Sequence, residues 1–126
     1  MVDLDHTVPF LFARFPDVRK NTHLIEDSLD CPHVVYETAF VPYIKSALRS
    51  NDLPTIAKIF DFMEELACAN DERVENLLQV SILEPLWDDY AAFQKLHIYM
   101  LPNTQSINRR MAEYMAEPEA IVNNTK

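Results

Sequence analysis

The chain contains no glycine among its 126 residues, whereas average globular composition would supply about nine. Phosphate-binding loops, dinucleotide-binding fingerprints and nucleophile elbows all need glycine, because each requires a positive φ or a close approach of the backbone. The sequence therefore excludes these three kinds of site. Helices also cannot end in the usual left-handed glycine, so another residue type must take that position.

Asparagine followed by aspartate provides such a substitute at two places, residues 51–52 and 70–71. Asparagine tolerates the left-handed conformation better than most residues, and aspartate is a favoured N-cap. Each pair therefore predicts that one helix ends and the next begins. Between the two pairs, apolar residues at helical spacing cover an arc of about 160°. They predict an inward face formed by Ile56, Ile59, Phe60, Phe62, Met63, Leu66 and Ala67.

Prolines and capping residues divide the rest of the chain into segments of about three helical turns. Before the first Asn-Asp pair, we predict helices over about residues 9–15, 17–29 and 37–49, the last after a lead-in at 34–36. A fifth helix follows the second Asn-Asp pair. Pro85 either ends this helix or kinks it, because proline lacks an amide hydrogen and its ring clashes with the preceding turn.

Two further helices complete the predicted set. The sixth begins at the N-cap Asp88, and the seventh begins at the N-cap Thr104 after Pro102 stops the sixth. The apolar face of the sixth helix consists of Tyr90, Phe93, Leu96, Met100 and Leu101. The apolar stripe of the seventh consists of Ile107, Met111 and Tyr114.

The linkers between these helices are short, and short linkers make sequential helices antiparallel neighbours. No segment alternates convincingly with the period of a β-strand. The sequence therefore predicts an all-α fold of about six to seven short helices, arranged as an irregular bundle or as stacked helical hairpins. Residues 1–116 form a single compact domain in this prediction, and residues 117–126 form a polar, disordered tail.

Acids outnumber bases 20 to 11, which gives a formal net charge of −9. Proteins that bind nucleic acid or anionic membranes carry an excess of lysine and arginine, so we expect neither as a partner. No apolar run reaches the roughly 18 residues of a membrane span, and the N-terminus lacks the basic and apolar regions of a secretory signal. We therefore expect a cytosolic protein, in which Cys31 and Cys68 are small buried residues.

No residues in the sequence form a recognised catalytic or metal-binding motif. The four histidines show neither Glu-x-x-His nor His-Glu-x-x-His spacing, and Ser81 has no recognisable activating base. His97 falls on the predicted apolar face of the sixth helix, which favours a core histidine over a buried base. The sequence thus predicts no catalytic residue, metal or cofactor. A small enzyme with an unrecognised site at a carboxylate or at His97 is the alternative.

Nearly the whole charge imbalance lies between residues 59 and 92, which contain nine acids and one base, Arg73. The other 92 residues contain 11 acids and 10 bases. A solvated helix face normally mixes both signs, because acid–base pairs four residues apart stabilise a helix and like charges destabilise it. A one-signed surface instead attracts an oppositely charged partner. The segment therefore indicates a docking surface for a basic protein, or alternatively an acidic face that maintains solubility.

Four segments of the sequence resemble a family of small helical bacterial proteins: CPHVVY at 31–36, IFDFMEEL at 59–66, VSILEPL at 80–86 and MLPNT at 100–104. The resemblance covers about residues 8–112. Members of this family are similar to immunity proteins of polymorphic toxin systems, of the Rhs or contact-dependent inhibition kind. The shared motifs are mostly helix-packing patterns, and none of them is catalytic.

The resemblance implies an immunity protein that binds its cognate toxin in the cytosol and occludes the toxin's active site. Toxins that attack nucleic acid are basic around that site, so an acidic inhibitor is complementary to them. Trp87 and Tyr90 are the expected aromatic anchors, although Trp87 fits a core position equally well. The expected electrostatic contacts are Asp61, Glu64, Glu65, Glu72, Glu75, Asp88 and Asp89. The alternative is a non-enzymatic helical scaffold, adaptor or homo-oligomer that binds another basic protein.

Overall fold

The computed structural model describes residues 3–20 and 30–124. Within these ranges the chain forms seven helices and no strand, which confirms the predicted all-α fold. The helices are α1, Thr7–Arg14, which follows a 3₁₀ turn at Leu4–His6; α2, Pro16–Lys20; α3, residues 32–50; α4, Leu53–Ala67; α5, residues 72–87; α6, Tyr90–Tyr99; and α7, Pro102–Asn124. The predicted second helix lies outside the described residues beyond Lys20. Helix α7 includes most of the segment 117–126.

Helices α3 and α5 each continue through a proline by widening one turn. In α3 a π turn occupies Tyr36–Phe40, and the amide of the next residue, Val41, donates to the carbonyl five residues earlier. Pro42 follows directly. A proline ring clashes with the carbonyl four residues before it in a regular α-helix, and the wider turn relieves that clash. Helix α5 repeats the arrangement at Leu78–Leu83 before Pro85, so Pro85 does not end this helix.

Both Asn-Asp pairs lie between two helices and cap the second one, as the sequence predicts, and Asn51 directly follows α3 whereas Asn70 lies three residues after the end of α4. Asn51 and Asn70 have φ values of 55° and 57°, and they are the residues with positive φ in the described ranges. Asp52 and Asp71 each accept hydrogen bonds from backbone amides in the first turn of the helix that follows. The predicted inward face of α4 is buried, apart from the half-buried Ala67.

An aromatic cluster joins the end of α1 to α3 and α4 within the core. Phe62 is fully buried, and its ring centroid lies 5.4 Å from that of Phe15 and 5.5 Å from that of Phe40. Tyr36 is also fully buried, and its hydroxyl donates a hydrogen bond to the carbonyl of Thr7 at 2.7 Å. Burial raises the pKa of Tyr36 well above its ordinary value, although this hydrogen bond acts in the opposite direction. The neutral hydroxyl thus joins α3 to the start of α1.

Helix α5 forms much of the remaining core, and α7 packs across α4 and α5. From α7, Ile107 and Met111 are buried as the sequence predicts, because they lie on the side that faces these two helices. The buried residues of α5 are Val74, Leu77, Leu78, Ser81, Ile82, Leu83 and Leu86. Among the described residues, no helix combines the length and apolar character needed to cross a bilayer.

Two predictions about the first half of the chain are wrong. Helix α3 begins at Pro32 instead of near residue 37, so the segment 34–36 is helical. Proline is well accommodated in the first helical turn, where its missing amide has no partner in any case. Cys31 and Cys68 are exposed rather than buried, because Cys31 precedes α3 and Cys68 follows the end of α4.

Two predictions about α6 are also wrong. The N-cap is Asp89 and not Asp88, since the Asp89 side chain accepts the hydrogen bond from the first-turn amide at 3.1 Å. Tyr90 and His97 are exposed, whereas Leu96 is fully buried. This helix has apolar residues on both sides, so their spacing does not reveal which side packs against the core.

Helix α7 begins earlier than predicted, at Pro102. Thr104 therefore lies in the first turn and is not the N-cap. Tyr114 was expected in the apolar stripe, but it is exposed. By this point α7 has passed the last of its buried residues within the described side chains, Met111.

Candidate partner-binding surface

The acidic segment 59–92 folds into most of α4, all of α5 and the start of α6. The surface has three open depressions where α4 and α5 approach α1 and α7. We call them the first depression, with a volume of about 570 Å³, the second, of about 340 Å³, and the third, of about 660 Å³. We call the surface that they form the acidic seam. Its acids are Asp61, Glu64 and Glu65 in the first depression, Asp71, Glu72 and Glu75 in the second, and Glu84 in the third. Its bases are Arg14, Lys58 and Arg110.

In the first depression, Glu65 forms an ion pair with Arg14 of α1. The Arg14 guanidinium also lies 5.2 Å from the ring centroid of Phe10 and 5.9 Å from that of Phe62. Aromatic faces attract cations, so the two rings hold Arg14 beside the acid. Because the two charged side chains are 40% and 45% exposed to solvent, the ion pair contributes about 0–1 kcal/mol to stability. Asp61 is exposed and forms no ion pair or hydrogen bond with another described side chain.

Glu64 lies between the first and second depressions and binds the first turn of α7. Its carboxylate accepts hydrogen bonds from the backbone amides of Asn103 and Thr104 at 2.9 and 2.8 Å. The side chains of the same two residues donate to it at 2.9 and 2.8 Å. The first amides of a helix have no partner within it and form the positive end of the helix dipole. Glu64 of α4 therefore supplies the cap that α7 does not have in its own sequence.

These hydrogen bonds also control the ionisation of Glu64. Partial burial by itself would raise the pKa of the carboxyl group. The donors on Asn103 and Thr104 outweigh burial and lower the pKa below the ordinary value of 4.5. The charged carboxylate is therefore engaged inside the fold. Thr104, the predicted cap, is instead a fully buried donor to this carboxylate.

The second and third depressions lie on the surface between α5 and α7, and residues of both helices line them. Glu75 of α5 forms an ion pair with Arg110 of α7, and Asp71 caps α5. Glu72 and Glu84 are exposed, and neither forms an ion pair or hydrogen bond with another side chain in the described ranges. These two acids, together with Asp61 in the first depression, are the acids of the seam whose side chains form neither an ion pair nor a hydrogen bond with a described residue.

Trp87 is a packing residue at the end of α5. It is half-buried against the core, and its indole nitrogen donates a hydrogen bond to the side-chain oxygen of the buried Asn108 at 2.7 Å. The ring of Phe93 meets it edge to face, with 6.1 Å between centroids. The indole therefore links α5, α6 and α7, which favours the core position over a free anchor.

The three residues after Trp87 lie away from the seam. Asp88 is exposed, and Asp89 caps α6 with its carboxylate 3.9 Å from the ammonium group of Lys45. Tyr90 is exposed on α6. None of these residues lines the three depressions. The structure therefore divides the predicted contacts into two groups, and the group along the seam contains Asp61, Glu64, Glu65, Glu72 and Glu75.

Sequence reasoning did not select Glu84 as a contact, although the count of acids in segment 59–92 includes it. It also did not reveal Arg14 and Arg110 as neighbours of the acids. Arg14 is 51 residues from its partner Glu65, and Arg110 is 35 residues from Glu75. No local pattern signals a pairing over such distances, so the charge of the isolated segment overstates the charge of the folded surface.

A serine–histidine pair lies outside the seam. The Nδ1 atom of His33 is 2.7 Å from the hydroxyl of Ser81, although the sequence shows no base for that serine. Ser81 is fully buried on α5, so its hydroxyl meets no solvent and the contact joins α5 to α3. In the portion of the chain that the structure describes, no three histidine, cysteine, aspartate or glutamate residues are grouped so as to hold a metal ion.

Comparison with known proteins identifies one domain. A family model described as a domain of unknown function, DUF7674, matches residues 8–116. The match begins in α1 and ends within α7, so it includes the acidic seam and the turn between α5 and α6. No curated protein and no solved structure matches the chain.

Proposed function

The chain belongs to the DUF7674 family, and we propose that it is a non-enzymatic immunity protein that binds a basic toxin domain and occludes its active site. The observation that carries the proposal is the charge of the acidic seam. Seven acids and three bases line three adjoining depressions in the described part of the chain. An acidic, concave surface of this kind is complementary to a basic protein surface.

Three acids provide the initial attraction in this proposal. Asp61, Glu72 and Glu84 lie in different depressions, and no described side chain neutralises them. They therefore extend a negative potential along the whole seam. Such a field raises the rate of encounter with a basic partner by about 10- to 1000-fold at low ionic strength.

The ion-paired acids provide a second set of contacts. The pairs Arg14–Glu65 and Arg110–Glu75 are exposed and contribute about 0–1 kcal/mol each. Lysine or arginine side chains of a toxin can displace the internal arginines at this low cost. Glu64 has a different role, because its four hydrogen bonds fix α7 against α4 and so keep the depressions in shape.

Occlusion requires no chemistry from this protein. An enzyme that attacks nucleic acid needs lysine and arginine to bind phosphates, so its active site presents the charge that the seam attracts. The producing bacterial cell needs protection in its cytosol, where we place the complex. Binding of this protein to the toxin's active site would exclude the nucleic acid by covering the same basic residues.

The first test is a pull-down from the native host at low and moderate salt, with mass spectrometry of the retained proteins. We expect one basic, toxin-like polypeptide, retained less well as salt increases. Adding the purified chain should then inhibit that polypeptide. Capture of only neutral or acidic polypeptides would contradict the proposal, and so would a captured toxin that keeps its full activity.

The kinetics of the captured pair test the seam itself. Glu72→Lys should slow association by about 2- to 10-fold at low salt, because it reverses one charge of the steering field. Glu37→Lys is the matched control, since Glu37 is an exposed acid on α3 that lines none of the depressions. Equal association rates for the two variants would place the interface elsewhere.

A further inference from the structure

Helix α6 exposes apolar side chains on the face that points away from the core. Tyr90 and Ile98 are 76% and 71% exposed and lie about two turns apart. Between them, Ala91, Gln94 and His97 are also exposed. We call these five residues the outer stripe. The opposite face of the same helix is buried through Ala92 and Leu96, so α6 is apolar on both sides.

The outer stripe differs from the rest of the surface in its charge. One quarter of the residues in the chain are charged, and the net charge is −9, yet none of the five residues of the stripe is an acid, lysine or arginine. None of the five lines the acidic seam. An uncharged stripe offers no selective attraction to a basic protein, but it allows two copies of an acidic chain to meet without like charges at the contact.

We propose that the outer stripe binds a second copy of this chain, with the two α6 helices antiparallel about a two-fold axis at Gln94. In such a pair, a residue that lies a given number of positions before Gln94 in one copy faces the residue that lies the same number of positions after Gln94 in the other. Tyr90 then packs on Ile98 of the second copy, and the small Ala91 accommodates the ring of His97 of the second copy. The two Gln94 amides meet at the axis and can hydrogen-bond to each other.

The antiparallel arrangement is the one that the ends of α6 favour. A parallel pair would place the acidic residues Asp88 and Asp89 of both copies side by side and would align the two helix dipoles unfavourably. An antiparallel pair separates these acids by about 15 Å, the length of a ten-residue helix. The two-fold arrangement also closes, so it produces a dimer and not a filament.

The size of the stripe and the charge of the chain set the expected affinity. A single ten-residue helix buries less than the roughly 800 Å² per partner of a standard interface. We therefore expect a weak dimer, with a Kd between about 100 and 1000 μM in low salt. Salt should strengthen the dimer, because it screens the repulsion between two acidic chains. This is opposite to the effect of salt on binding of a basic toxin, so the two interactions are separable.

Sedimentation equilibrium of the purified chain tests the proposal at protein concentrations from about 5 to 1000 μM, in low and high salt. We expect a monomer–dimer equilibrium that shifts towards dimer at high salt. Ile98→Glu and Tyr90→Glu should weaken it at least tenfold, while circular dichroism remains that of the folded chain. Leu53→Glu is the control, because Leu53 is 58% exposed on α4 outside the stripe. A monomer under all conditions, or equal weakening by Leu53→Glu and Ile98→Glu, would overturn the proposal.

Disulfide cross-linking tests the antiparallel arrangement separately. In a background with Cys31→Ser and Cys68→Ser, Gln94→Cys should form a cross-linked dimer on mild oxidation, because residue 94 lies on the two-fold axis. Ile98→Cys alone should not form a cross-linked dimer, since the two copies of residue 98 lie about 12 Å apart along the direction of the helices. Cross-linking of Ile98→Cys without that of Gln94→Cys would exclude the arrangement.

Discussion

The acidic seam and the outer stripe of α6 are both exposed surfaces, but the fold uses their side chains to different extents. In the seam, Glu64 binds α7, and two further acids form ion pairs with arginines from α1 and α7. On the stripe, a hydrogen bond of 3.1 Å joins Gln94 to Tyr90 within the same helix, and the large side chains of Tyr90 and Ile98 are exposed to solvent. A residue that the fold already engages is a poorer candidate for binding than one that it leaves free. The seam is therefore partly structural, and the stripe contributes little to the monomer.

The largest expected contrast between the two regions concerns their aromatic residues. Phe62→Ala should destabilise the chain by about 3–5 kcal/mol, because Phe62 is fully buried beneath the seam. Tyr90→Ala removes a ring of similar size from the stripe and should change the stability of the monomer by less than about 0.5 kcal/mol. Urea denaturation at a protein concentration where the chain is monomeric measures both. A loss above about 1.5 kcal/mol for Tyr90→Ala would show that the stripe does support the monomer.

The next contrast lies within the seam, between adjacent glutamates. Glu64→Ala removes four hydrogen bonds and the cap of α7, so it should cost about 1–3 kcal/mol. Glu65→Ala removes an exposed ion pair and should cost less than about 1 kcal/mol. Hydrogen exchange should accelerate at the amides of Asn103 and Thr104 in the first variant only. Equal losses of stability would mean that Glu64 is no more structural than its neighbour.

The pH dependence of stability provides a further test of the structural role of Glu64. Its pKa is lower in the folded chain than the ordinary value of 4.5, so the folded state favours the ionised form. The stabilisation is fully present above that ordinary value and is lost as the pH falls through the lower, folded-state pKa. The difference in stability between the native chain and Glu64→Gln should therefore be largest near neutral pH and should shrink as the pH falls below the ordinary value of 4.5. A difference that grows on acidification has the wrong sign for this mechanism.

A small effect on stability should also come from an arginine of the seam. Arg110→Ser breaks the exposed pair with Glu75 and should cost less than about 1 kcal/mol. The same change frees the charge of Glu75, so it should speed association with a basic partner at low salt. Arg109→Ser is the control, because Arg109 is an exposed neighbour that lines none of the depressions. Association that is slower for Arg110→Ser than for the control would mean that Arg110 itself contacts the partner.

The sequence by itself determined those features that depend on neighbouring residues. Without glycine, asparagine takes the left-handed position at residues 51 and 70, and the aspartate after each one caps the next helix. The inward face of α4 was also predictable from the spacing of its apolar residues, because a helix brings residues three and four apart to the same side. The all-α fold follows from such local signals. Where the local pattern was ambiguous, as on the doubly apolar α6, the prediction failed.

Only the tertiary structure decided which acids are engaged. Glu64 meets Asn103 and Thr104 across 39 and 40 residues of sequence, and Glu65 meets Arg14 across 51. Such contacts depend on how helices pack, and the sequence of one helix contains no information about the side chains that another brings to it. The acidic segment is therefore evident from composition. Its division into structural acids, paired acids and free acids exists only in the folded chain, because hydrogen bonds and ion pairs form between groups that packing places within about 3–4 Å.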